Sequence, residues 1–421
     1  MSTRQERWSL PAERRPALAA GLVALAAFGA AWALLHRGFY ERDQIVDIPV
    51  YQRYGDQMVD GKLPYRDFRV EYPPAALPVF LLPAIGDGHD EPAYRRSFER
   101  LMVLCGLLVV AGVAIALSAL RAEPARLFGA LGFAALAPLA LGSVILTRFD
   151  LWPTALAVLG LAAVLSRRNR LGLGVLGLGA AAKIFPGVLA PLALTYVWRR
   201  RGRREALVCG AVFAGVLLVC FLPFFVLSPG GIWDSLHRQA SRPLQIESLG
   251  SGFLLVAHQL FGYGIHLNLS HGSQNLGGSL PSAFAAILSL LQLVALLGLW
   301  VGFGRGPAEP ERLVRYSAAC MAAFIAFGKV LSPQFLIWLL PLVPLVRGRR
   351  GLTSATLLAV ALVLTQLWFP YRYWDLALRL DERASWLVLV RDLVLLTLVA
   401  VLALPLRRAP TGRRRAPARS G

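Results

Sequence analysis

The feature that most constrains this chain is a series of apolar runs of roughly 17–25 residues, separated by short clusters of arginine. An α-helix of about 20 apolar residues crosses the hydrocarbon core of a bilayer. Of the 421 residues, 56% are hydrophobic and only 16% are charged. This balance excludes an ordinary soluble protein and predicts an all-α, polytopic membrane protein.

The formal net charge of +20 has two possible explanations, a nucleic-acid partner or a membrane topology. The arginines lie in clusters between the apolar runs and do not form one continuous face, so no nucleic-acid partner is expected. Loops rich in arginine stay in the cytoplasm, which explains the clusters better. The four cysteines all lie in apolar runs and are interpreted as buried hydrophobic residues.

Placing every arginine cluster on one side predicts about 12 transmembrane or broken helices, with both termini in the cytoplasm. The short run 75–85 contains two prolines and is interpreted as a segment that dips into the bilayer without crossing it. The helices are predicted at 17–36, 97–120, 127–146, 151–166, a broken hairpin over 171–198, 205–227, 283–303, 313–328, 335–346, 352–369 and 385–405.

This topology predicts a single transmembrane domain over residues 1–406, followed by a basic cytoplasmic tail, 407–421, that is expected to be disordered. A first outer loop covers 37–96, and a long outer loop covers 228–282. The first loop holds the densest group of carboxylates in the chain. These are Glu41, Asp43, Asp47, Asp56, Asp60, Asp67 and Glu71. For most of them, a solvated surface is the simplest interpretation.

Lysine is rare here, because only three of the 44 basic residues are lysines. Lys183 and Lys329 lie within or at the end of apolar segments, where a charge is costly. The topology places both at the outer face together with Arg148 and Asp150. These cations either bind an anionic substrate, or they serve only as snorkelling side chains and a structural Arg148–Asp150 ion pair.

Several catalytic motifs are missing from the sequence. It has no nucleotide-binding loop, no GxSxG elbow and no HExxH. The histidines of the long outer loop have no metal-ligand spacing. We therefore expect no cofactor and no required metal, while the seven carboxylates of the first outer loop leave metal binding open. The energy for any reaction must arrive with the substrate.

Five short motifs resemble one known family. They are DIPVY at 47–51, GKLPY at 61–65, EYPP at 71–74, AKIFP at 182–186 and KVLSPQ at 329–334, ahead of Trp338. The order of these motifs, and the side of the membrane on which the topology places each of them, resemble those of the integral-membrane glycosyltransferases of the C-type fold. Within that group the chain is most similar to family 87, the polyprenyl-phosphate-mannose-dependent α-(1,2)-mannosyltransferases of actinobacteria.

The resemblance implies a C-type fold in a bacterial plasma membrane, with an active site that faces outward. It also implies a polyprenyl-phosphate sugar donor, a lipid-linked or cell-envelope glycan acceptor, and a carboxylate base in the first outer loop. That base is expected to be Asp47, with Asp43 as the competitor, one turn away if the segment is helical. Lys183, Lys329 and Arg148 are expected to bind the donor phosphate. Further substrate-binding candidates are Tyr51, Tyr65, Glu71, Asp150, Arg242, Gln245, Glu247, Ser332 and Gln334.

The rival hypothesis is a transporter or a flippase for lipids or sugar-lipids, which would also explain broken helices and lysines within the membrane. Against it, the polar residues cluster on one face and no inverted repeat is evident. A structural membrane subunit is a third possibility, but it leaves the carboxylates of the first outer loop unexplained.

Overall fold

The structure, a computed structural model, describes residues 15–404. The first 14 residues and the basic tail at 407–421 lie outside the described residues. The α-helices are α1 (Arg15–Leu34), α2 (Ile48–Val59), α3 (Leu77–Ala84), α4 (Glu91–Ala119), α5 (Pro124–Leu141), α6 (Leu151–Leu165), α7 (Asn169–Ala182), α8 (Ala190–Arg201), α9 (Arg203–Leu227), α10 (Pro229–Ala240), α11 (Leu249–Phe261), α12 (Ser279–Arg305), α13 (Pro310–Ala326), α14 (Gly348–Trp368), α15 (Tyr373–Arg379) and α16 (Glu382–Ala403).

Among residues 15–404, six helices are long and apolar enough to cross a membrane. They are α4, α5, α9, α12, α14 and α16. The predicted class, a helical multi-pass membrane protein, is therefore confirmed. The other apolar helices are shorter, with 10–17 residues each.

The predicted interruption at Lys183 is present. Helix α7 ends at Ala182, and Lys183 follows with an extended backbone at φ −159° and ψ 139°. A 3-10 helix, Phe185–Leu189, then leads into α8. Pro186 has no backbone N–H to donate, so an α-helix could not continue through this point without losing a hydrogen bond. Helix α7 packs between α6 and α9.

The prediction of a helix over 335–346 was wrong. The chain instead forms a 3-10 helix, Pro333–Leu339, followed by turns up to Val346. Pro341 and Pro344 remove two backbone donors within four residues, which an α-helix does not tolerate. Most of this segment is buried, so it forms part of the interior.

The segment 228–282, predicted as a long outer loop, has secondary structure of its own. It contains α10, α11 and a small antiparallel sheet in the order β1-β3-β2. The strands are β1 (Leu244–Gln245), β2 (His266–Ser270) and β3 (Ser273–Gly277). His271 and Gly272 join β2 to β3 with φ values of 54° and 65°, the left-handed backbone that tight hairpin turns require.

The first outer loop is folded against the helices. Its helix α2 buries Ile48, Tyr51 and Tyr54. The Tyr51 ring stacks on Phe80 of α3, with 4.7 Å between ring centroids. Helix α3 has 8 residues, about 12 Å at 1.5 Å per residue, which is too short to cross a bilayer.

Candidate functional site

A cavity of about 600 Å³ lies where α6 begins and α7 ends. Its walls come from segments far apart in the sequence: the first outer loop, the turn before α6, the break after α7, the β2–β3 turn and the segment after α13. Many of the predicted site residues line it, namely Asp47, Glu71, Arg148, Lys183, Arg242, Gln245, Glu247, Lys329, Ser332 and Gln334. The fold therefore brings these side chains together.

Four predicted site residues do not line this cavity. Asp43 is exposed, and residues 44–47 are not helical, so Asp43 and Asp47 do not lie on one helical face. Tyr51 is buried behind Asp47. The Tyr65 hydroxyl donates a 2.6 Å hydrogen bond to the backbone oxygen of Tyr72, which fixes the loop. Asp150 lies behind Lys183.

Asp47 precedes α2 and forms an ion pair with Arg148. The Tyr51 hydroxyl donates to Oδ2 of Asp47 at 3.3 Å. Arg148 also donates to the backbone oxygen of Ile45 at 3.3 Å, and its side chain is only 6% exposed, whereas that of Asp47 is 31% exposed. Burial lowers the pKa of Arg148 to about 10, so this guanidinium stays charged at neutral pH. The pair orients the Asp47 carboxylate at the cavity wall.

Lys183 is held by a carboxylate and by aromatic rings. Its Nζ donates to Oδ1 of Asp150 at 2.7 Å, and Trp338 Nε1 donates to the same oxygen at 2.6 Å. The ammonium also lies 4.8 Å from the centroid of Phe149 and 5.4 Å from that of Phe335. The Asp150 carboxylate thus neutralises the ammonium beside these rings. The structure therefore pairs Asp150 with Lys183, and Arg148 with Asp47.

The opposite wall supplies two further cations. Lys329 Nζ donates to the backbone oxygen of Ala240 at 2.7 Å. Arg242 donates to Ser273 Oγ at 3.0 Å. Burial lowers the pKa of both basic side chains. Within residues 15–404, neither of them forms an ion pair with a carboxylate.

Gln245, Glu247 and Ser332 form a buried polar group at the base of the cavity. Gln245 Nε2 donates to Ser332 Oγ at 2.9 Å and also to the Glu247 carboxylate. Glu247 is 2% exposed. Burial raises its pKa to about 8, against the pull of Arg391, Arg148 and Arg242, so this carboxyl holds its proton more tightly than an exposed glutamate does.

Some lining residues were missed by the sequence reasoning, including His271, Gln292, Phe335 and Tyr373. No local pattern marks them, since tertiary packing alone brings them to the cavity.

Arg391 was missed as well, although a signal existed. It lies next to Asp392 within an apolar run, and charges inside a membrane helix often mark functional sites. Arg391 donates to the Glu247 backbone oxygen at 2.7 Å.

Possible metal ligands are scattered in the described part of the chain. Between residues 15 and 404, no group of three or more histidine, cysteine, aspartate or glutamate side chains is placed to hold a metal ion.

Comparison with known proteins gives one family match. The model of glycosyltransferase family 87 matches residues 71–333. No curated protein matches the chain significantly. Among solved structures, ArnT from Cupriavidus metallidurans bound to undecaprenyl phosphate is similar, with 17% identity and a TM-score of 0.46, over 92% of this chain and 76% of that chain. The apo state of the same protein gives 16% identity and the same TM-score and coverage.

Proposed function

Because this chain belongs to glycosyltransferase family 87, the family that its motifs predicted, we propose that it transfers a hexose from a polyprenyl-phosphate donor. Mannose is the expected sugar, and the expected acceptor is a lipid-linked or cell-envelope glycan at the outer face of a bacterial plasma membrane. The family match favours an enzyme over a transporter or a flippase.

One observation carries the proposal. A single cavity combines the Asp47 carboxylate with four cations, Arg148, Lys183, Arg242 and Lys329. A polyprenyl-phosphate sugar has one phosphate charge beside the reacting carbon, and that charge grows as the phosphate leaves. Fixed cations in a site of low dielectric stabilise such developing charge. Hydrogen bonds from a charged donor to a phosphate oxygen are stronger than hydrogen bonds between neutral groups.

Asp47 is the proposed base. It accepts the proton of an acceptor hydroxyl as that oxygen attacks the anomeric carbon. The bond between this carbon and the phosphate oxygen breaks, and the phosphate departs with the electron pair. Attack from the side opposite the phosphate inverts the anomeric centre, so a β-linked donor gives an α-linked product. The ion pair with Arg148 holds the carboxylate in position for this step.

Glu71 is the proposed contact for the acceptor. It lines the same cavity, and its carboxylate makes no hydrogen bond or ion pair within the described part of the chain. A Cβ atom on Gly272 would lie 3.9 Å from its Oε2, which places the carboxylate beside the β2–β3 turn. A sugar hydroxyl can donate to such a carboxylate.

The prenyl chain has an apolar route out of the cavity. Ile184 follows Lys183 directly, lines the cavity and is 71% exposed. Helix α9, which packs against α7, is apolar and largely unburied over its membrane-spanning window. A donor whose phosphate contacts Lys183 can therefore place its prenyl chain against apolar side chains and lipid.

The decisive experiment measures transfer of radiolabelled sugar from polyprenyl-phosphate mannose and polyprenyl-phosphate glucose by purified protein in liposomes. Asp47→Asn should lower turnover by about 100-fold or more, the usual effect of losing a general base. The matched control is Asp43→Asn, which alters an exposed carboxylate outside the cavity in the same loop and should leave turnover unchanged.

Three outcomes would contradict these assignments. Full turnover by Asp47→Asn would remove Asp47 as the base. Loss of turnover in Asp43→Asn alone would move that role to Asp43. Failure of the wild-type protein to consume any polyprenyl-phosphate sugar, across a panel of glycan and lipid acceptors, would overturn the proposed reaction.

A further inference from the structure

A second cavity, of about 260 Å³, lies at the other end of α6, α7 and α8. Its walls come from the last residues of α6 and α8 and the first residue of α7, together with Ala119 and Pro310. The 15 residues of α6 span about 22 Å, which separates this cavity from the catalytic one. It therefore belongs to a different site.

The second cavity is strongly cationic. Arg167, Arg200 and Arg201 line it, and none of its lining residues is an aspartate or a glutamate. Arg200 lies over the Tyr196 ring at 5.4 Å. The neighbouring carboxylate, Glu205, does not neutralise this group, because Arg170 binds both of its oxygens at 3.0 and 2.8 Å. Three guanidinium groups thus share one cavity without an acidic partner there.

Two polar side chains that are mostly buried also line the cavity. Asn169 is 8% exposed and Tyr196 is 6% exposed. Neither the Asn169 amide nor the Tyr196 hydroxyl belongs to the fully buried polar atoms that lack a partner, so both can donate a hydrogen bond to a group bound in the cavity.

The surroundings of the cavity are those of a membrane interface. Trp198 is 58% exposed and Leu171 is 55% exposed, and each is close in sequence to a lining residue. Exposed tryptophan is typical of the level of the lipid headgroups. Val164, Leu165 and Val197 give the cavity an apolar wall.

We propose that this second cavity binds a phosphate-bearing anion, either the headgroup of an acidic phospholipid or a soluble phosphate. Arginine binds phosphate through paired N–H donors, and three arginines with the Asn169 amide and the Tyr196 hydroxyl supply enough donors for one phosphate group. Basic pockets between transmembrane helices bind acidic headgroups in this way. The proposal does not depend on the identity of the transferred sugar.

The test uses native mass spectrometry of the full-length protein, titrated in detergent with phosphatidylglycerol, with phosphatidylcholine or with inorganic phosphate. The wild type should bind phosphatidylglycerol in preference to phosphatidylcholine. Arg200→Gln/Arg201→Gln should weaken that binding by about tenfold or more, because each charge-assisted hydrogen bond contributes strongly. The control, Arg347→Gln/Arg349→Gln, removes the same charge from exposed arginines outside the cavity and should bind like the wild type.

Tyr196→Phe serves as a second variant in case the double arginine variant fails to fold. It removes only the hydroxyl and should weaken binding about threefold to tenfold. Binding of inorganic phosphate that depends on Arg200 and Arg201, with no preference among lipids, would identify a soluble phosphate as the ligand. The proposal is overturned if the cavity variants and the control variant bind both anions equally.

Discussion

At the scale of single residues, two cations that line the larger cavity are already paired with carboxylates. Arg148 pairs with Asp47, and Lys183 pairs with Asp150. The sequence drew attention to Lys183 and Lys329, because lysine is rare in this chain and both lie beside apolar segments. It could not indicate the pairing, because Asp150 and Lys183 are 33 residues apart and only the packing of α6 against α7 joins them.

Lys183→Met should raise the KM for the polyprenyl-phosphate donor or lower kcat by about tenfold or more, because a charge-assisted contact to the phosphate is lost. The matched control is Lys62→Met, since Lys62 is an exposed lysine that does not line the cavity. The substitution also leaves Asp150 without its cation, so Lys183→Met/Asp150→Asn should recover thermal stability but not turnover. Unchanged kinetics in a folded Lys183→Met protein would make Lys183 a purely structural residue.

Glu247 predicts how stability depends on pH. Burial raises its pKa to about 8 from an ordinary value near 4.5, so the folded state binds this proton more tightly than the unfolded state does. The contribution of Glu247 to the free energy of unfolding is therefore fully present below about pH 4.5 and is lost as the pH rises to about 8. Glu247→Gln should flatten this part of the profile in thermal unfolding measured in detergent. An unaltered slope would show that another group titrates.

At the scale of elements, breaks in helices position the site. The interruption after α7 was predictable, since a lysine and a proline within an apolar run are local signals. The strand β1 was not predictable, because it pairs with β3 about 30 residues further along the chain. The strands β2 and β3 form a local hairpin, and its two-residue turn at His271 and Gly272 was a signal that the sequence reasoning missed. The buried 3-10 helix Pro333–Leu339 has an apolar sequence typical of a membrane helix, and only the spacing of Pro341 and Pro344 argued against one.

Helix α16 should matter to the site through Arg391, which is fully buried, lies against Asp392 and donates to the backbone of Glu247. Arg391→Met should lower the free energy of unfolding by about 3–5 kcal/mol, because Asp392 is left as an uncompensated buried charge. Thermal unfolding in detergent measures this, with Arg383→Gln at the exposed start of α16 as the control. Equal melting temperatures for the two variants would contradict a structural role for Arg391.

At the scale of the whole molecule, the larger cavity, with Asp47 and Lys183, lies at one end of the α6–α8 group and the arginine-lined cavity at the other. The arginine pattern by itself predicts that these ends lie on opposite sides of the membrane. The sequence can predict these sides because arginine-rich loops stay in the cytoplasm, and such loops recur along the whole chain. It could not reveal the shape of either cavity, which depends on helix packing.

Topology can be tested with a membrane-impermeant thiol reagent on intact cells. In a background that lacks the four native cysteines, Lys62→Cys should be labelled from outside because Lys62 lies in the first outer loop. Arg349→Cys should be labelled only after the membrane is permeabilised, because it lies in an arginine cluster assigned to the cytoplasm. The reverse pattern would invert the topology, so that the larger cavity would face the cytoplasm.

The shared oxygen of Asp150 has a consequence for product departure. Lys183 and Trp338 both donate to Oδ1, so the ammonium has a resident counter-ion even when no donor is bound. In the proposed reaction, a spent polyprenyl phosphate carries more negative charge than the donor and would have to compete with Asp150 for this lysine. We expect that competition to shorten the residence time of the spent carrier and to keep the enzyme from being trapped by its own leaving group.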